Sequence, residues 1–424
     1  MKITKLALSA ALAAACLGGS VKAQESSDFG YYSSEAAPVV SPASVNEYSS
    51  VIPAACGCSD APVSECCDVN ICDSGCDTGC DSACGGDEPW ALFPNGIAGL
   101  DVGGWVSIGY HTYNNTLFNQ HADKVNLQQA WMYAEKVADG SNGLGFGGRI
   151  DYLYGVDAQD TQAFGIANNH WDNSWDNGIY GHAMPQLYGE VAYGDLSVIA
   201  GRFYTLIGYE VVGAPGNFFY SHSYTMNNSE PFTHTGVLAT YSAADDLTLY
   251  GGYVMGWDSG FEDNGDAFLG GYSADLTDSL NVTSQYIVGR FGADEVGWMS
   301  SFIATTTLSD DVTHVFWVDI LDTDGTGRTT ERETFDVNNY LLINLTDNLV
   351  WGNRLEYYNV DKGVYGVTAG RSDIYAFTTG LNASLNSNIL IRPEVRWDWD
   401  KDGVVGNELG QSQTTFGTDM VLTF

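Results

Sequence analysis

The sequence predicts an all-β protein: a transmembrane antiparallel β-barrel of about sixteen strands, preceded by a disordered, cysteine-rich N-terminal segment. Three observations support this prediction. Segments of alternating polarity recur from residue 99 to the last residue. The connections between them are alternately very short and long. Outside the N-terminal leader, no apolar run approaches the ~20 residues of a membrane-spanning helix, so a membrane domain here must be a barrel.

Residues 1–23 have the features of a secretory signal peptide. Lys2 and Lys5 form the basic end, residues 6–17 form the apolar middle, and Val21-Lys22-Ala23 offers a cleavage site. Residues 24–98 form a second region, which is rich in Cys, Ser, Asp and Gly and shows no lasting periodicity. The remaining residues, 99–424, form the predicted barrel domain.

All eight cysteines that remain after signal cleavage lie in the second region. An even number of cysteines in an exported chain favours disulfides, although the sequence does not determine their connectivity. Two alternatives stay open: covalent cross-links to a neighbour or an envelope layer, and metal binding by thiolates. The residues concerned are Cys56, Cys58, Cys66, Cys67, Cys72, Cys76, Cys80 and Cys84.

The barrel domain contains sixteen strand candidates. Their lengths of about 9–14 residues suit tilted strands that cross a bilayer. The candidates are residues 101–113, 124–137, 143–154, 185–193, 195–203, 235–243, 246–257, 266–276, 278–289, 296–308, 310–321, 334–345, 347–358, 372–385, 388–399 and 411–424.

Successive side chains of a strand point to opposite sides, so polarity indicates which face meets lipid. Near the chain's end, Trp351 and Leu355 share one face of a strand, whereas Arg354 and Glu356 share the other. We expect the apolar faces to meet lipid and the polar faces to line the lumen. The apolar face of the last strand carries Phe416, Thr418, Met420, Leu422 and Phe424.

The turns that follow even-numbered strands are very short and repeat Asp or Asn, as in Gly194-Asp195, Thr346-Asp347-Asn348 and Asn386-Ser387-Asn388. Such side chains form tight turns by bonding their own backbone. Odd-numbered strands are followed by longer acidic loops, of which 155–184 and 204–234 are the longest. A soluble β-sandwich has no reason to sort loop lengths by strand parity. We therefore expect the short turns and both chain ends to be periplasmic and the long loops to be external.

Composition excludes several classes of function. A formal net charge of -37 argues against nucleic acid or anionic lipid headgroups as partners and suits divalent cations. The seven histidines are scattered, and no Gly-x-Ser-x-Gly or His-Glu-x-x-His motif occurs. We therefore predict that the protein is not an enzyme and needs no catalytic cofactor.

Several charged residues occupy mid-strand positions, where a lipid-facing charge costs roughly 2–4 kcal/mol at the midplane. They should therefore face the lumen. Two interpretations stay open: a network that supports the wall, and a charged constriction through which polar solutes pass. The candidate constriction also includes the only formal charges of loop 204–234. The candidate residues are Glu210, Glu230, Arg149, Asp151, Arg202, Arg354, Glu356, Arg392, Glu394 and Arg396.

One external loop resembles the first half of a calcium-binding loop. Asp398, Asp400 and Asp402 alternate and are followed by Gly403, a pattern that converges carboxylates on a hard cation. Glu408 stands at the eleventh position, whereas the bidentate Glu of such loops stands at the twelfth. A Ca²⁺ site and a plain acidic hairpin loop both stay open.

The barrel domain resembles the OmpL-like β-barrel porin family, β-barrel porin-2, over residues 99–424. The segments that carry the resemblance are Gly201-Arg202-Phe203-Tyr204-Thr205-Leu206-Ile207-Gly208-Tyr209-Glu210, Pro215-Gly216-Asn217, Pro231-Phe232-Thr233-His234-Thr235-Gly236-Val237-Leu238 and Arg149-Ile150-Asp151-Tyr152-Leu153-Tyr154-Gly155. The resemblance implies a barrel in the outer membrane of a Gram-negative-type envelope. It does not extend to the cysteine-rich region.

The layout is similar to that of sixteen-stranded general porins, in which the third long loop folds inward and narrows the channel. We expect loop 204–234 to do the same and ions and small hydrophilic solutes to diffuse through passively. Carboxylates near the mouth should make the pore weakly cation-selective. These acids include Asp157, Asp160, Asp172 and Asp176.

The alternative is a structural envelope protein that is anchored by the barrel and cross-linked through its cysteines. Outer-membrane lipid is the expected surrounding in either case, while a homotrimer and a covalent link to an envelope layer stay open.

Overall fold

The predicted signal peptide, all the cysteines, Asp402 and Glu408 lie outside the residues that the structure describes, so the disulfide prediction stays a prediction. In the part of the chain that is described, no helix is long and apolar enough to cross a membrane. The structure, a computed structural model, describes residues 89–115, 117–325, 331–362, 372–400 and 412–424.

Sixteen antiparallel strands close into a barrel, as the sequence predicts. Each pairs with its sequence neighbours, and the first strand pairs with the last from Trp105↔Thr423 to His111↔Gly417. Two further short strands form a hairpin in the long loop after the third strand. The second of them pairs with the third strand, in line with the barrel strand that follows it. The strands are β1 (Asp101–His111), β2 (Val125–Lys136), β3 (Gly145–Gly155), β4 (Asp176–Asn177), β5 (Tyr180–Ala183), β6 (Leu187–Tyr193), β7 (Leu196–Tyr204), β8 (Thr233–Ala244), β9 (Leu247–Val254), β10 (Asp266–Thr277), β11 (Leu280–Gly292), β12 (Glu295–Ser309), β13 (Val312–Gly325), β14 (Glu333–Thr346), β15 (Leu349–Lys362), β16 (Ser372–Asn386), β17 (Ile389–Asp400) and β18 (Gln413–Thr423).

The predicted repeat of short turns is confirmed at one end of the barrel, which we call the short-turn end. Six strand pairs there are joined by two residues, and each of these turns contains Asp or Asn. Two connections depart from the expected pattern. The link between β2 and β3 is longer, residues 137–144, and only Ala293 and Asp294 separate β11 from β12 at the long-loop end.

The facing of the side chains also follows the sequence pattern. Leu355 is 55% exposed on the outer surface, whereas Arg354 and Glu356 on the same strand are buried inside. Aromatic rings stack on the outer surface between neighbouring strands, as in Tyr375 with Trp399 at 5.3 Å between centroids. The outer surface thus exposes many large apolar side chains, which form a band of the kind that contacts lipid.

The chain segment before β1 is tied to the short-turn end. The side chain of Asn388 accepts a hydrogen bond from Trp90 N and donates one to Trp90 O, both at 2.7 Å. Asn388 also donates to Thr423 O at 2.8 Å, and the Trp90 ring lies 6.2 Å from that of Phe424. The start of the described chain is therefore fixed beside the end of the last strand.

If the outer band contacts lipid, the effect of a charge on it must depend on depth. Leu355→Arg, in the middle of β15, should lower the free energy of unfolding by roughly 2–4 kcal/mol. Leu385→Arg, on the same outer face but beside a short turn, should lower it by about 1 kcal/mol or less. Urea titration of the protein refolded in lipid vesicles measures both, and equal effects would contradict the proposed band.

Candidate functional site

The loop between β7 and β8, residues 205–232, lies inside the barrel, and we call it the lumen loop. Its regular elements are a 3-10 turn (Ala214–Gly216) and one short helix, α1 (Tyr224–Ser229). The Ser223 side chain caps α1 by accepting from Met226 N at 3.1 Å. Most of the loop is buried against lumen-facing side chains. The expectation that loop 204–234 folds inward is confirmed.

Three arginines of β15 and β17 donate hydrogen bonds to carbonyl groups of the lumen loop. A buried carbonyl needs such a donor because water does not reach it. Each arginine also contacts a carboxylate, so its charge is balanced: Arg392 with Asp419 at 2.6 Å, Arg396 with Asp398 at 2.7 Å, and Arg354 with Glu210. The carbonyl contacts are Arg392 Nη1 with Ala214 O (2.7 Å) and Asn217 O (2.6 Å), Arg354 Nη1 with Ser221 O (2.8 Å), and Arg396 Nη1 with His222 O (2.5 Å).

Two glutamates of the same strands accept hydrogen bonds from N–H groups of the lumen loop. Glu394 accepts from Tyr220 N at 2.9 Å and from Ser221 N at 3.2 Å. Glu356 accepts from Thr225 N at 2.9 Å and from the Thr225 hydroxyl at 3.1 Å. The wall thus offers donors and acceptors that match the exposed backbone groups of the loop.

The lumen loop also joins the two sides of the seam between β1 and β18. Ala214 N donates to Gln129 Oε1 of β2 at 2.9 Å, while Ala214 O accepts from Arg392 of β17. Gln129 Nε2 donates in turn to Val212 O at 2.8 Å. The same short stretch of loop is therefore held by strands on both sides of the closing strand pair.

Glu210 lies in direct contact with Arg354, and both side chains are buried. It also accepts from the Tyr340 hydroxyl and from Ser223 N, both at 2.7 Å. Burial alone would raise the pKa of Glu210, but the charge of Arg354, the contact with His222 and the hydrogen bond from Ser223 N outweigh it and lower the pKa. The sequence-based picture had Glu210 facing the wall arginines across a wet passage. Here the two groups touch, because the loop is packed onto the wall.

The other predicted constriction residues on β3 and β7 lie away from the lumen loop's anchors. Arg149 contacts Asp151 at 2.6 Å and Glu135 at 3.0 Å on the inner face of β2 and β3. Arg202 contacts Asp172 at 2.7 Å and so fixes the loop between β3 and β6. Both sites are compact ion pairs.

Two of the predicted mouth carboxylates are buried. Asp172 has no exposed surface and Asp157 has 4%, so neither faces solvent at the long-loop end. The Asp157 carboxylate accepts from Gln129 at 2.8 Å. Asp176, in contrast, is exposed. The electrostatic field at the mouth is therefore weaker than the number of acidic residues suggests, because some of these carboxylates are buried and hold the loops in place.

The calcium prediction concerns residues that are only partly described. Asp398 pairs with Arg396, and Asp400 accepts from the Ser372 hydroxyl at 2.5 Å, both on the inner face of the wall. Among the described residues, no group of three or more His, Cys, Asp or Glu side chains is arranged to hold a metal ion. Since Asp402 and Glu408 lie outside the description, the calcium site stays a prediction.

A cavity of 430 Å³ lies between the lumen loop and the inner wall formed by β9 to β12, on the side opposite the arginine anchors. The wall contributes neutral polar side chains such as Ser273, Thr283 and Gln285. Asp245, Asp246 and Asp275 line it at the short-turn end, where all three are exposed to solvent. The cavity therefore opens toward the short-turn end.

An apolar layer separates this cavity from the long-loop end. Leu206 and Ile207 of the lumen loop pack in one cluster with Leu269, Ile287 and Met299 of the wall, which have no exposed surface. On β11 the inward residues change from Asn281, Thr283 and Gln285 to Ile287 as the strand rises. A hydrophobic layer of this kind closes a channel by excluding water.

All charged residues that line the cavity are acidic, and none of the described lining residues is Lys or Arg. Glu210 is neutralised by Arg354, whereas Glu230 forms no ion pair within the described residues and its carboxyl group hydrogen-bonds that of Asp319. Burial and the nearby carboxylate of Asp319 raise the pKa of Glu230. The acids of the cavity lining are Glu210, Glu230, Asp245, Asp246 and Asp275.

Sequence reasoning identified the acids Glu210 and Glu230 of this lining but missed the residues that the wall contributes. Asp275 and Gln285 were available from the alternation, since both lie on the polar face of a strand candidate. Asp245 and Asp246 form one of the two-residue acidic turns between neighbouring strands, and the sequence does not show that they line the mouth of a cavity. The missing information was the side of the lumen on which the loop would pack.

The family described as "Putative beta-barrel porin-2, OmpL-like" matches residues 99–424, which is most of the chain. The chain belongs to this porin family. The resemblance seen in the sequence is thereby confirmed. No curated protein matches the chain.

Solved porin structures share the fold at low sequence identity. The trimer form of OmpT, an outer membrane protein of Vibrio cholerae, has a TM-score of 0.54 and 12% identity, covering 77% of this chain and 99% of its own. The anion-selective porin from Comamonas acidovorans has a TM-score of 0.52 and 14% identity, covering 77% and 99%. A mutant of the Rh. blastica porin has a TM-score of 0.51 and 13% identity, covering 77% and 100%.

The contact between Arg354 and Glu210 should hold the lumen loop in place. Arg354→Ala leaves Glu210 buried without its partner, so the free energy that keeps the loop docked should fall by about 3–5 kcal/mol. Hydrogen–deuterium exchange in detergent should then be faster for backbone amides of residues 205–232.

The matched control is Arg290→Ala, which removes an arginine from a half-exposed pair with Asp266 and should leave the loop's exchange unchanged. Equal exchange in wild type and Arg354→Ala would contradict the anchoring role.

Proposed function

We propose that this porin-family protein allows passive diffusion of ions and small hydrophilic solutes across the outer membrane, with a weak preference for cations. The observation that carries the proposal is the cavity between the lumen loop and β9 to β12. Its lining includes neutral polar side chains and acids beside apolar ones, while Arg354, Arg392 and Arg396 are held by ion pairs on β15 and β17. Among the described residues, Asp245, Asp246 and Asp275 of the lining form no ion pair, so a passing ion meets carboxylates that are not neutralised.

The preference is expected to be weak, because the acids nearest the opening are exposed and screened by water and salt. Asp245, Asp246 and Asp275 belong to this group. The preference should therefore decline as ionic strength rises. The selectivity stated in the name of the Comamonas acidovorans porin does not transfer, since the likeness to it extends to the fold alone.

A homotrimer is part of the proposal. It is supported by the OmpT structure, which is described as a trimer form and covers most of this chain. The mass of the protein in detergent, measured by light scattering, tests it, and a monomeric mass would reject it.

The reversal potential of the reconstituted protein in a potassium chloride gradient tests the selectivity. The wild type should favour potassium at low salt. Replacing both Asp245 and Asp275 by Asn should lower the cation-to-anion permeability ratio by roughly twofold, because the field of an exposed charge is screened.

Asp310→Asn is the matched control, since Asp310 is an exposed acid in another short turn and does not line the cavity. A firm anion preference in the wild type would reject the selectivity, and an absence of any conductance would reject the porin function.

A second candidate function is a barrel that only anchors an envelope protein. The apolar layer above the cavity favours it, because a hydrophobic constriction gates a channel by excluding water. The two functions differ in whether that layer opens.

The substitution Ile207→Ser tests this point, since Ile207 is 2% exposed within the apolar layer. A hydroxyl there should admit water and raise the conductance of a single channel. The control is Ile391→Ser on the outer face of β17, which should leave the conductance unchanged. If the wild-type protein does not conduct and Ile207→Ser does, the anchor function is supported. If the wild-type protein conducts, the porin function is supported.

A further inference from the structure

The cavity between the lumen loop and β9 to β12 combines apolar and acidic surfaces. Leu206 and Ile207 of the loop and Ile303 of β12 form part of its lining, beside neutral polar groups. An inorganic ion gains nothing from apolar walls, because it binds oxygen ligands. A ligand with an aliphatic portion gains from covering them.

Two hydrogen-bond acceptors of the lining are buried and lack a partner. They are Oε1 of Glu230 on the loop and Oε1 of Gln285 on β11, and the two residues are 6% and 7% exposed. A buried acceptor without a donor is unfavourable, so both atoms indicate a ligand that donates. A primary ammonium group carries three N–H donors and a positive charge.

The charges around Glu230 favour a cationic donor over a neutral one. Asp319 of β13, Glu210 of the lumen loop and Asp336 of β14 act on its carboxyl group, and all three are acidic. Glu210 is paired with Arg354, but Glu230 is not among the ion-paired acids of the described chain. An ammonium group beside Glu230 would balance charge as well as donate hydrogen bonds.

A second group of acids lies at a different depth of the same cavity. Asp245, Asp246 and Asp275 stand at the exposed short-turn end, and Asn281 holds the Asp275 carboxylate through a 2.8 Å hydrogen bond. Glu230 follows helix α1 in the interior. The apolar side chains of Leu206, Ile207 and Ile303 line the same cavity as both acidic groups. This order of charges suits a chain with a positive group at each end.

We propose that the cavity binds a linear aliphatic diamine. One ammonium group bonds Glu230 and Gln285, the aliphatic chain lies against Leu206, Ile207 and Ile303, and the second ammonium group lies among the acids at the short-turn end. The inference deepens the proposed function, in that it assigns a solute class to the space that ions would enter.

Proton and ligand compete for Glu230. Because burial and Asp319 raise the pKa of Glu230, its carboxyl group takes up a proton more readily than an ordinary glutamate. The ammonium group requires the ionised form, so the affinity should decrease as the pH falls. The acidic neighbours Asp319, Glu210 and Asp336 act in the same direction on the Glu230 proton.

Isothermal titration calorimetry of the full protein in detergent tests the proposal with 1,4-diaminobutane as the probe. Binding should be saturable, weaker for 1-aminobutane, and absent for butane-1,4-diol, which has the same chain without charge. Glu230→Gln and Gln285→Leu should each lower the affinity for the diamine by about tenfold, as expected for a lost hydrogen bond to a charged group. Asp310→Asn should leave it unchanged.

Three results would overturn the proposal: no saturable binding of the diamine, equal binding of the diol, or equal loss of affinity in the Asp310→Asn control. The wild type itself gives a further check, since an affinity that does not fall with pH contradicts the role of Glu230.

Conductance in potassium chloride, measured on the same preparations, separates this proposal from the porin function. Conductance without diamine binding rejects the diamine site alone, and diamine binding without conductance rejects the porin function alone.

Discussion

A loop without extended secondary structure can be buried in a barrel only if its backbone groups find partners. The strands of the wall cannot provide them, because their own N–H and C=O groups are used in the sheet. Side chains must therefore do so. In this protein, arginines and glutamates that alternate on β15 and β17 meet the carbonyl and N–H groups of the lumen loop. The arrangement of the whole lumen depends on this match.

The match makes the lumen asymmetric. On the side of β14 to β18, the three arginines are paired with carboxylates and bonded to the loop. On the side of β9 to β12, space remains, and its charges are carboxylates. The electrostatic character of the passage thus depends on which wall charges are bonded to the loop, more than on how many charges the wall carries. Arginines are plentiful in the lumen, yet the open side is acidic.

The sequence predicts the barrel well, because the strand period and the two-residue turns are local properties. The inward facing of Arg354 and Glu356 followed from their position opposite Leu355 on one strand. The partner of Arg354 could not be derived in this way. Glu210 is 144 residues away in the sequence, and the contact depends on the path of an irregular loop. The position of the cavity could not be derived for the same reason, because the cavity is the part of the lumen that the loop leaves unfilled.

The contacts of Ala214 have a consequence for the closure of the barrel. The seam between β1 and β18 joins segments that lie far apart in the sequence, so its closure carries the greatest loss of chain entropy among the strand pairs. Until it closes, β1 and β18 are open edges that can pair with other chains. The lumen loop is bound by β2 on one side of the seam and by β17 on the other. A loop that docks on both holds the two edges side by side, so the segment that narrows the barrel also supports the strand pair that closes it.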